Sequence, residues 1–371
     1  MRIGIVGGSL GGLFAAALLH ADGHEVHVYE RAAGGLVGRG AGLVAQHEIF
    51  EVLRRLGTES VARVGVIAYE RIVLARDGSV TSTEPTPQMQ VSWDGLYRAL
   101  LAHVPGGGYH MGDAVIGVEQ SANEAFIALA SGQRRSFDCV IGADGIGSVV
   151  RSLVTPTQRD NHYAGYVAWR GLLPEADVPT HAASALFERF AFYFEPGSQM
   201  LGYLVPGPSG EIAPARRRYN WVWYRQVPGA AGLRRTLTDA EGREHPYSLG
   251  RGEVPAEDRE ALYKAARESL PPPFRAVVEA EPTPFVQAIF DHESSRMASG
   301  RIALLGDAAF VVRPHTAMGA AKAAGDAMTL VAALRRLPVR DALVAYEAER
   351  LPVGRRVSAY GRQLGESLQP A

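Results

Sequence analysis

Residues 1–30 read MRIGIVGGSLGGLFAAALLHADGHEVHVYE. RIGIVG, at 2–7, is a short β-branched run ending in glycine, and 10–21 is rich in alanine and leucine and predicts a helix. EVHVYE, at 25–30, predicts a second strand. Strand, glycine turn, helix, strand is a βαβ unit whose parallel strands are buried on both faces. Gly7 lets the chain leave the first strand where a Cβ would obstruct it, and Gly12 lets the helix lie close to the neighbouring strand. Between them Ser9 replaces the middle glycine of a dinucleotide-binding turn. It is small enough for a phosphate to approach the backbone, and its hydroxyl can donate to it. From Leu10 onward the first helical turn offers free N–H groups and a positive dipole end to a pyrophosphate. Glu30 closes the second strand where an acid accepts hydrogen bonds from a ribose, with Arg31 beside it. The turn predicts a bound dinucleotide and leaves NAD and FAD undecided.

The bulk numbers narrow the class. The chain has 371 residues and a net charge of −1, so it carries no basic field that would attract nucleic acid or an anionic membrane. Lys264 and Lys322 are its two lysines, and Cys139 is its one cysteine, which excludes an intramolecular disulfide and a dithiol redox pair. No apolar run approaches bilayer length and no signal peptide is legible, so the expectation is a cytoplasmic chain that binds neither membrane nor nucleic acid. No metal is expected. The oligomeric state is not readable, and a homodimer stands as the open option.

Farther along, 45–56 reads as a helix, 67–91 as short strands with a hairpin at Asp77-Gly78, and 93–104 as a helix. Residues 163–225 are strand-like and aromatic, 241–284 are rich in proline and charge, and the chain from Gly319 is helical. The expected fold is α/β: a Rossmann-like nucleotide-binding domain with an inserted antiparallel sheet and C-terminal helices. The expected boundaries give 1–70, 92–162 and 285–371 to the nucleotide domain, and 71–91 with 163–284 to a substrate domain.

Two more strands end in an acid–glycine pair. DCVIGADGIGSVVR (138–151) contains Asp144-Gly145, with Ser148 read as a helix cap. RIALLGDAAFVVRPHTAMGAAKA (301–323) contains Gly306-Asp307. With these three motifs in this order, the chain resembles the single-component FAD monooxygenases of the p-hydroxybenzoate hydroxylase type. GGSLGGL, YVAWRGLL, SWDGLYRAL and RPHTAMGAAKA are similar to its 2,6-dihydroxypyridine 3-hydroxylase branch. The resemblance implies that Asp307 binds the ribityl chain of FAD, that Glu30 binds the adenosine ribose, and that Asp144 lies near the pyrophosphate. It places Arg39 beside the flavin, adds Gln46 to the cofactor contacts, and lets the loop from Pro314 through Ala317 to Gly319 aim amides at the ring. The chain departs from the family pattern at Trp93, Phe310 and the stretch 317–321.

The resemblance further implies that NADH or NADPH visits transiently and reduces the flavin. Dioxygen then adds as a flavin hydroperoxide, and an electron-rich hydroxylated aromatic or N-heteroaromatic ring receives one oxygen. His315, with Pro314, and His47 are the catalytic candidates, since a neutral histidine can take a ring hydroxyl's proton. Tyr193, Tyr203 and Trp223 are the candidates for touching substrate, although aromatics in alternating strands are usually core. Arg216, Arg217 and Arg218 read as a solvated loop, and Lys322 as either a surface lysine or one facing the flavin. A halogenase is disfavoured because Trp221-Val222-Trp223 runs on into Tyr224-Arg225. An epoxidase of the same fold and a flavin-binding redox sensor remain as alternatives.

Overall fold

The computed structural model describes residues 1–369 apart from positions 39, 41 and 159. Its first sheet has six strands in the order Ala298–Ser299, Ile302–Leu304, Cys139–Gly142, Arg2–Val6, Glu25–Glu30, Tyr109–Met111. All neighbours are parallel except the first pair. Each central strand is short and apolar, as expected where helices cover one face and a second layer the other. Helices Leu10–Ala21, Gly319–Leu334 and Val339–Leu364 share one core with this sheet and with the antiparallel strands Val115–Gln120, Ala125–Leu129 and Arg134–Phe137. Small residues set the helix spacing: a Cβ on Gly11 would lie 3.6 Å from the Ala323 Cβ of the facing helix.

The second large sheet has nine strands and is mixed, mostly antiparallel. Its centre is His162–Pro174, Arg218–Gln226 and Ser198–Val205, in that order. Helices Thr180–Leu186, Ala256–Ser269 and Pro272–Glu279 cover one face. The other face carries Tyr166, Ala168, Val222 and Tyr224. The helices within 241–284 were not anticipated, because Pro255 and Pro271 start them and do not break anything.

Two expected boundaries differ from the pairing seen here. Phe285–Glu293, expected in the nucleotide domain, pairs with His162–Pro174 inside the nine-stranded sheet. Residues 88–91 were expected in the insert, but their strand, Gln88–Ser92, forms a small sheet with Gly42–Val44 and Gly65–Ala68. The hairpin at Asp77-Gly78 is present, with Gly78 at φ +90° between Glu70–Leu74 and Val80–Glu84. Of the arginine run, read as a solvated loop, only Arg216 is exposed, and Arg217 and Arg218 are buried. Arg217 bonds both oxygens of Glu175 at 2.8 and 2.5 Å, and Arg218 donates to the Pro206 carbonyl at 3.0 Å.

Candidate active site

Four parallel strands of the first sheet lie side by side, and their C-terminal ends carry the sequence motifs: Gly306-Asp307, Asp144, Gly7 and Glu30. A cleft of about 370 Å³ opens over these ends, lined by Gly7, Ser9, Glu30, Arg31, Trp93 and Asp144 among others.

The glycine turn is sterically determined. Gly7 has φ +102°, and a Cβ there would lie 2.3 Å from the Ala143 carbonyl oxygen. A Cβ on Gly12 would lie 1.9 Å from the Gly7 carbonyl oxygen. Gly8, not singled out from sequence, is equally constrained, because a Cβ would meet the Tyr109 hydroxyl at 2.1 Å. Tyr109 donates to the Gly8 carbonyl at 3.0 Å. The Gly8 N–H donates to Glu30 Oε2 and the Ala32 N–H to Oε1, both at 2.9 Å. These bonds fix the carboxylate on the cleft wall and leave each oxygen a further lone pair. Ser9 caps the helix by its backbone conformation only; its hydroxyl makes no capping bond. Leu10 has its side chain in the core, which leaves only its backbone for a ligand. Arg31 is exposed on the cleft.

The second and third turns are tied together by a buried guanidinium. Asp144 accepts from the Ser148 hydroxyl at 2.5 Å and from the Val149 and Val150 N–H groups at 2.7 and 3.2 Å. Its carboxyl is raised by burial, against those hydrogen bonds. Asp144 thus organises its own turn, and Ser148 caps the next one, accepting from the Arg151 N–H at 3.1 Å. Arg151 donates from Nη1 to the Ile146 carbonyl at 3.1 Å, from Nη2 to that of Asp307 at 2.9 Å, and from Nε to that of Ala308 at 2.8 Å. Asp307 reaches solvent but is crowded by protein, which raises its carboxyl against the pull of Lys322 and Arg151. Lys322 is not a surface lysine. It is buried, donating from Nζ to the Gly306 carbonyl at 2.7 Å, while Asp326 accepts from the Gly306 N–H at 3.0 Å.

The loop ahead of the long small-residue helix begins at Arg313, turns through Pro314–Thr316, and passes Ala317 in the left-handed region at φ +53°. Pro314 is exposed. Gln46 Nε2 donates to the Ala317 carbonyl at 3.1 Å, which brings the exposed His47, first residue of helix His47–Arg55, beside this loop. No side chain caps the helix starting at Gly319. Trp93, one of the departures from the family pattern, stacks on Tyr97 at 5.2 Å on the cleft wall. Arg39 lies outside the described residues.

The three aromatic candidates separate. Tyr203 is on the face of the nine-stranded sheet turned away from its covering helices: a Cβ on Gly42 would lie 3.7 Å from its ring, which stacks on Phe190 at 4.5 Å. Tyr193 and Trp223 are on the opposite face, under the helices, in the apolar cluster with Trp221 and Phe274. Trp223 is 1% exposed and donates to Ser198 Oγ at 2.8 Å, so both residues are core and neither faces the cleft. The inner face instead offers Tyr224, Asn220 and Arg170, which the sequence reading did not select. His315 lies against that face, 4.2 Å from the Tyr224 ring and 2.9 Å from the Tyr166 hydroxyl. Burial, with Arg313 adding to it, pushes His315 down to about 4.

Comparison with known proteins agrees with this geometry. A family model described as FAD binding domain-like matches residues 163–291, and one described as FAD binding domain matches 264–360. 2,6-Dihydroxypyridine 3-monooxygenase of Paenarthrobacter nicotinovorans is 32% identical over 99% of this chain and 91% of its own length. 3-Amino-4-hydroxybenzoate 2-monooxygenase of Streptomyces cremeus is 31% identical over 99% of this chain and 88% of its own. Among solved structures, the 2,6-dihydroxypyridine-3-hydroxylase from Arthrobacter nicotinovorans superposes with a TM-score of 0.92 at 30% identity, covering 99% of this chain and 92% of that one. Klebsiella pneumoniae HpxO, complexed with FAD and uric acid, gives 0.78 at 25% identity, covering 99% and 88%. With strand-end turns, cleft and relatives in agreement, the chain belongs to the FAD-dependent monooxygenases that hydroxylate aromatic and heteroaromatic rings.

Proposed function

We propose that this monooxygenase hydroxylates a small hydroxypyridine-type ring, using NADH or NADPH as reductant and dioxygen as the oxygen source. The residues present suit FAD. Ser9 and the uncapped first helix suit its pyrophosphate, Glu30 the adenosine ribose and Asp307 the ribityl chain. The uncapped helix at Gly319 suits the pyrimidine edge of the ring. When bound, FAD supplies the redox chemistry; the chain's own part is to hold the ring substrate, exclude water and favour its ionised form.

One observation carries the choice of ring. Two buried neutral amides have no partner among the described residues: Asn220, on the inner face, at both Nδ2 and Oδ1, and Gln90, on the small sheet, at both Nε2 and Oε1. Tyr203 is directly opposite Asn220. Gln90 projects to the side of its small sheet that Gly42 turns toward Tyr203, because Gly42 faces Ser92 and Val44 faces Gln90. Paired donors and acceptors of this kind match a ring that itself carries both, such as a hydroxypyridine with its ring nitrogen.

The test is NADH and NADPH oxidation with oxygen uptake by the yellow holoprotein, across hydroxypyridines and hydroxybenzoates. Stimulation by hydroxypyridines with stoichiometric hydroxylated product is expected. Stimulation by hydroxybenzoates alone would overturn the ring assignment, and none by any ring would favour a redox sensor.

A further inference from the structure

We infer that Asp291, Arg313 and Tyr166 form a positioning chain that locks His315 with its proton on Nδ1, so that His315 meets the substrate as a hydrogen-bond donor and not as a base. The inference deepens the proposed ring hydroxylation and rests on it for the identity of the acceptor.

The chain of bonds runs inward from a buried ion pair. Arg313, 1% exposed, donates from Nη2 to Asp291 Oδ2 at 2.6 Å and from Nε to Oδ1 at 3.0 Å. Its remaining nitrogen, Nη1, donates to the Tyr166 hydroxyl and to the Gly365 carbonyl, both at 3.4 Å. A guanidinium has no acceptor, so the Tyr166 oxygen must be the acceptor in that contact. The phenol's own proton then needs a partner, because Tyr166 is fully buried. His315 Nε2, at 2.9 Å, is the acceptor within reach. A neutral imidazole that accepts at Nε2 carries its hydrogen on Nδ1.

Nδ1 is the atom left over. It is buried and has no partner among the described residues. The groups that face the ring are Arg313 on its own turn, Tyr166 and Tyr224 from the sheet, and Asp291 behind Arg313. Burial, with the Arg313 charge beside it, keeps the ring neutral against the opposing pull of Asp291, as its lowered pKa reflects. A buried N–H without a protein acceptor, beside the ring of Tyr224 on the substrate face, awaits one from the ligand. A ring oxygen supplies it. An N–H aimed at that oxygen stabilises the oxyanion, as donors do in an oxyanion hole, and lowers the pKa of the bound ring hydroxyl without receiving its proton. The proton itself is released to solvent.

The tautomer is directly observable. In holoprotein labelled with 15N-histidine, the His315 signals, identified by their loss in His315→Gln, should show a protonated Nδ1 and a bare Nε2. That pattern should persist well below pH 6.5, and Tyr166→Phe should abolish the preference. The chemical consequence has its own readout. A spectral titration of a bound hydroxypyridine should show its ionisation lowered by about one unit, a tenfold effect, and Tyr166→Phe should remove most of that shift. His315→Gln, which keeps an N–H donor, should retain part of it, and His315→Ala none. A protonated Nε2 in the wild type, or titration near 6.5, would overturn the inference whatever the substrate proves to be. If no hydroxypyridine binds but the Nδ1 tautomer is found, the positioning chain stands and the ring assignment fails.

Discussion

Gly12 and Tyr203 show how far single residues were readable. The need for glycine at 7 and 12 follows from the turn itself, since backbone must pass backbone there. Gly12→Ala is expected to yield protein largely lacking flavin and with a lowered melting temperature, because its Cβ would fall 1.9 Å from a carbonyl oxygen. The ratio of flavin to protein absorbance measures this. The aromatic candidates were less legible. Period-two alternation shows that Trp221 and Trp223 share a face, but not whether helices or the cleft cover that face. Only the register with helices Ala256–Ser269 and Pro272–Glu279 settles it, and those helices were hidden in a proline-rich stretch. Trp223→Ala should therefore cost about 3–5 kcal/mol of stability through the cavity it leaves. Tyr203→Phe should stay within about 0.5 kcal/mol of wild type and act on KM instead. Thermal melts and steady-state kinetics on the two variants separate these outcomes.

At the scale of elements, the strand ends were legible and the ties between them were not. A β-branched run followed by glycine and an acid identifies where a parallel strand stops. Nothing local in the sequence says that Arg151 will reach over to the Asp307 and Ala308 carbonyls, or that Lys322 will turn inward to the Gly306 carbonyl. Both ties are long-range, made by flexible side chains whose ends could equally be in water. Arg151→Met should loosen the two turns together, weakening FAD at least tenfold in equilibrium titration while the proposed ring-binding site keeps its ligand affinity in the flavin-saturated protein. Unchanged FAD affinity would show that the turns hold their places without the guanidinium.

Over the whole molecule, the first unit, whose strands Arg2–Val6 and Glu25–Glu30 are joined through helix Leu10–Ala21, was readable from its motifs. The nine-stranded sheet was readable as a region and not as an order of strands, because its pairings join residues far apart, such as 162–174 with 285–293. pH reports on how the two parts meet at His315. Its folded pKa, about 4, is below the ordinary 6.5, so the unfolded chain binds the extra proton between those values. Stability should therefore rise with pH across that window, and this contribution should be gone above it. Asp144 and Asp307 are shifted upward and act in the opposite sense, losing stability as pH rises through their folded values. The His315 part is isolated by denaturation of wild type against His315→Gln at saturating FAD: their difference should change between about pH 4 and 6.5 and be flat above 7.

The central claim is that the ends of adjacent strands hold a single FAD through Glu30, the Ser9 turn and Asp307. Titration of the apoprotein with FAD, followed by flavin fluorescence, tests it most directly. One FAD per chain should bind to the wild type, with affinity falling at least tenfold in Glu30→Ala and again in Asp307→Ala. An apoprotein that takes up no FAD, or two variants that bind it as the wild type does, would contradict the account.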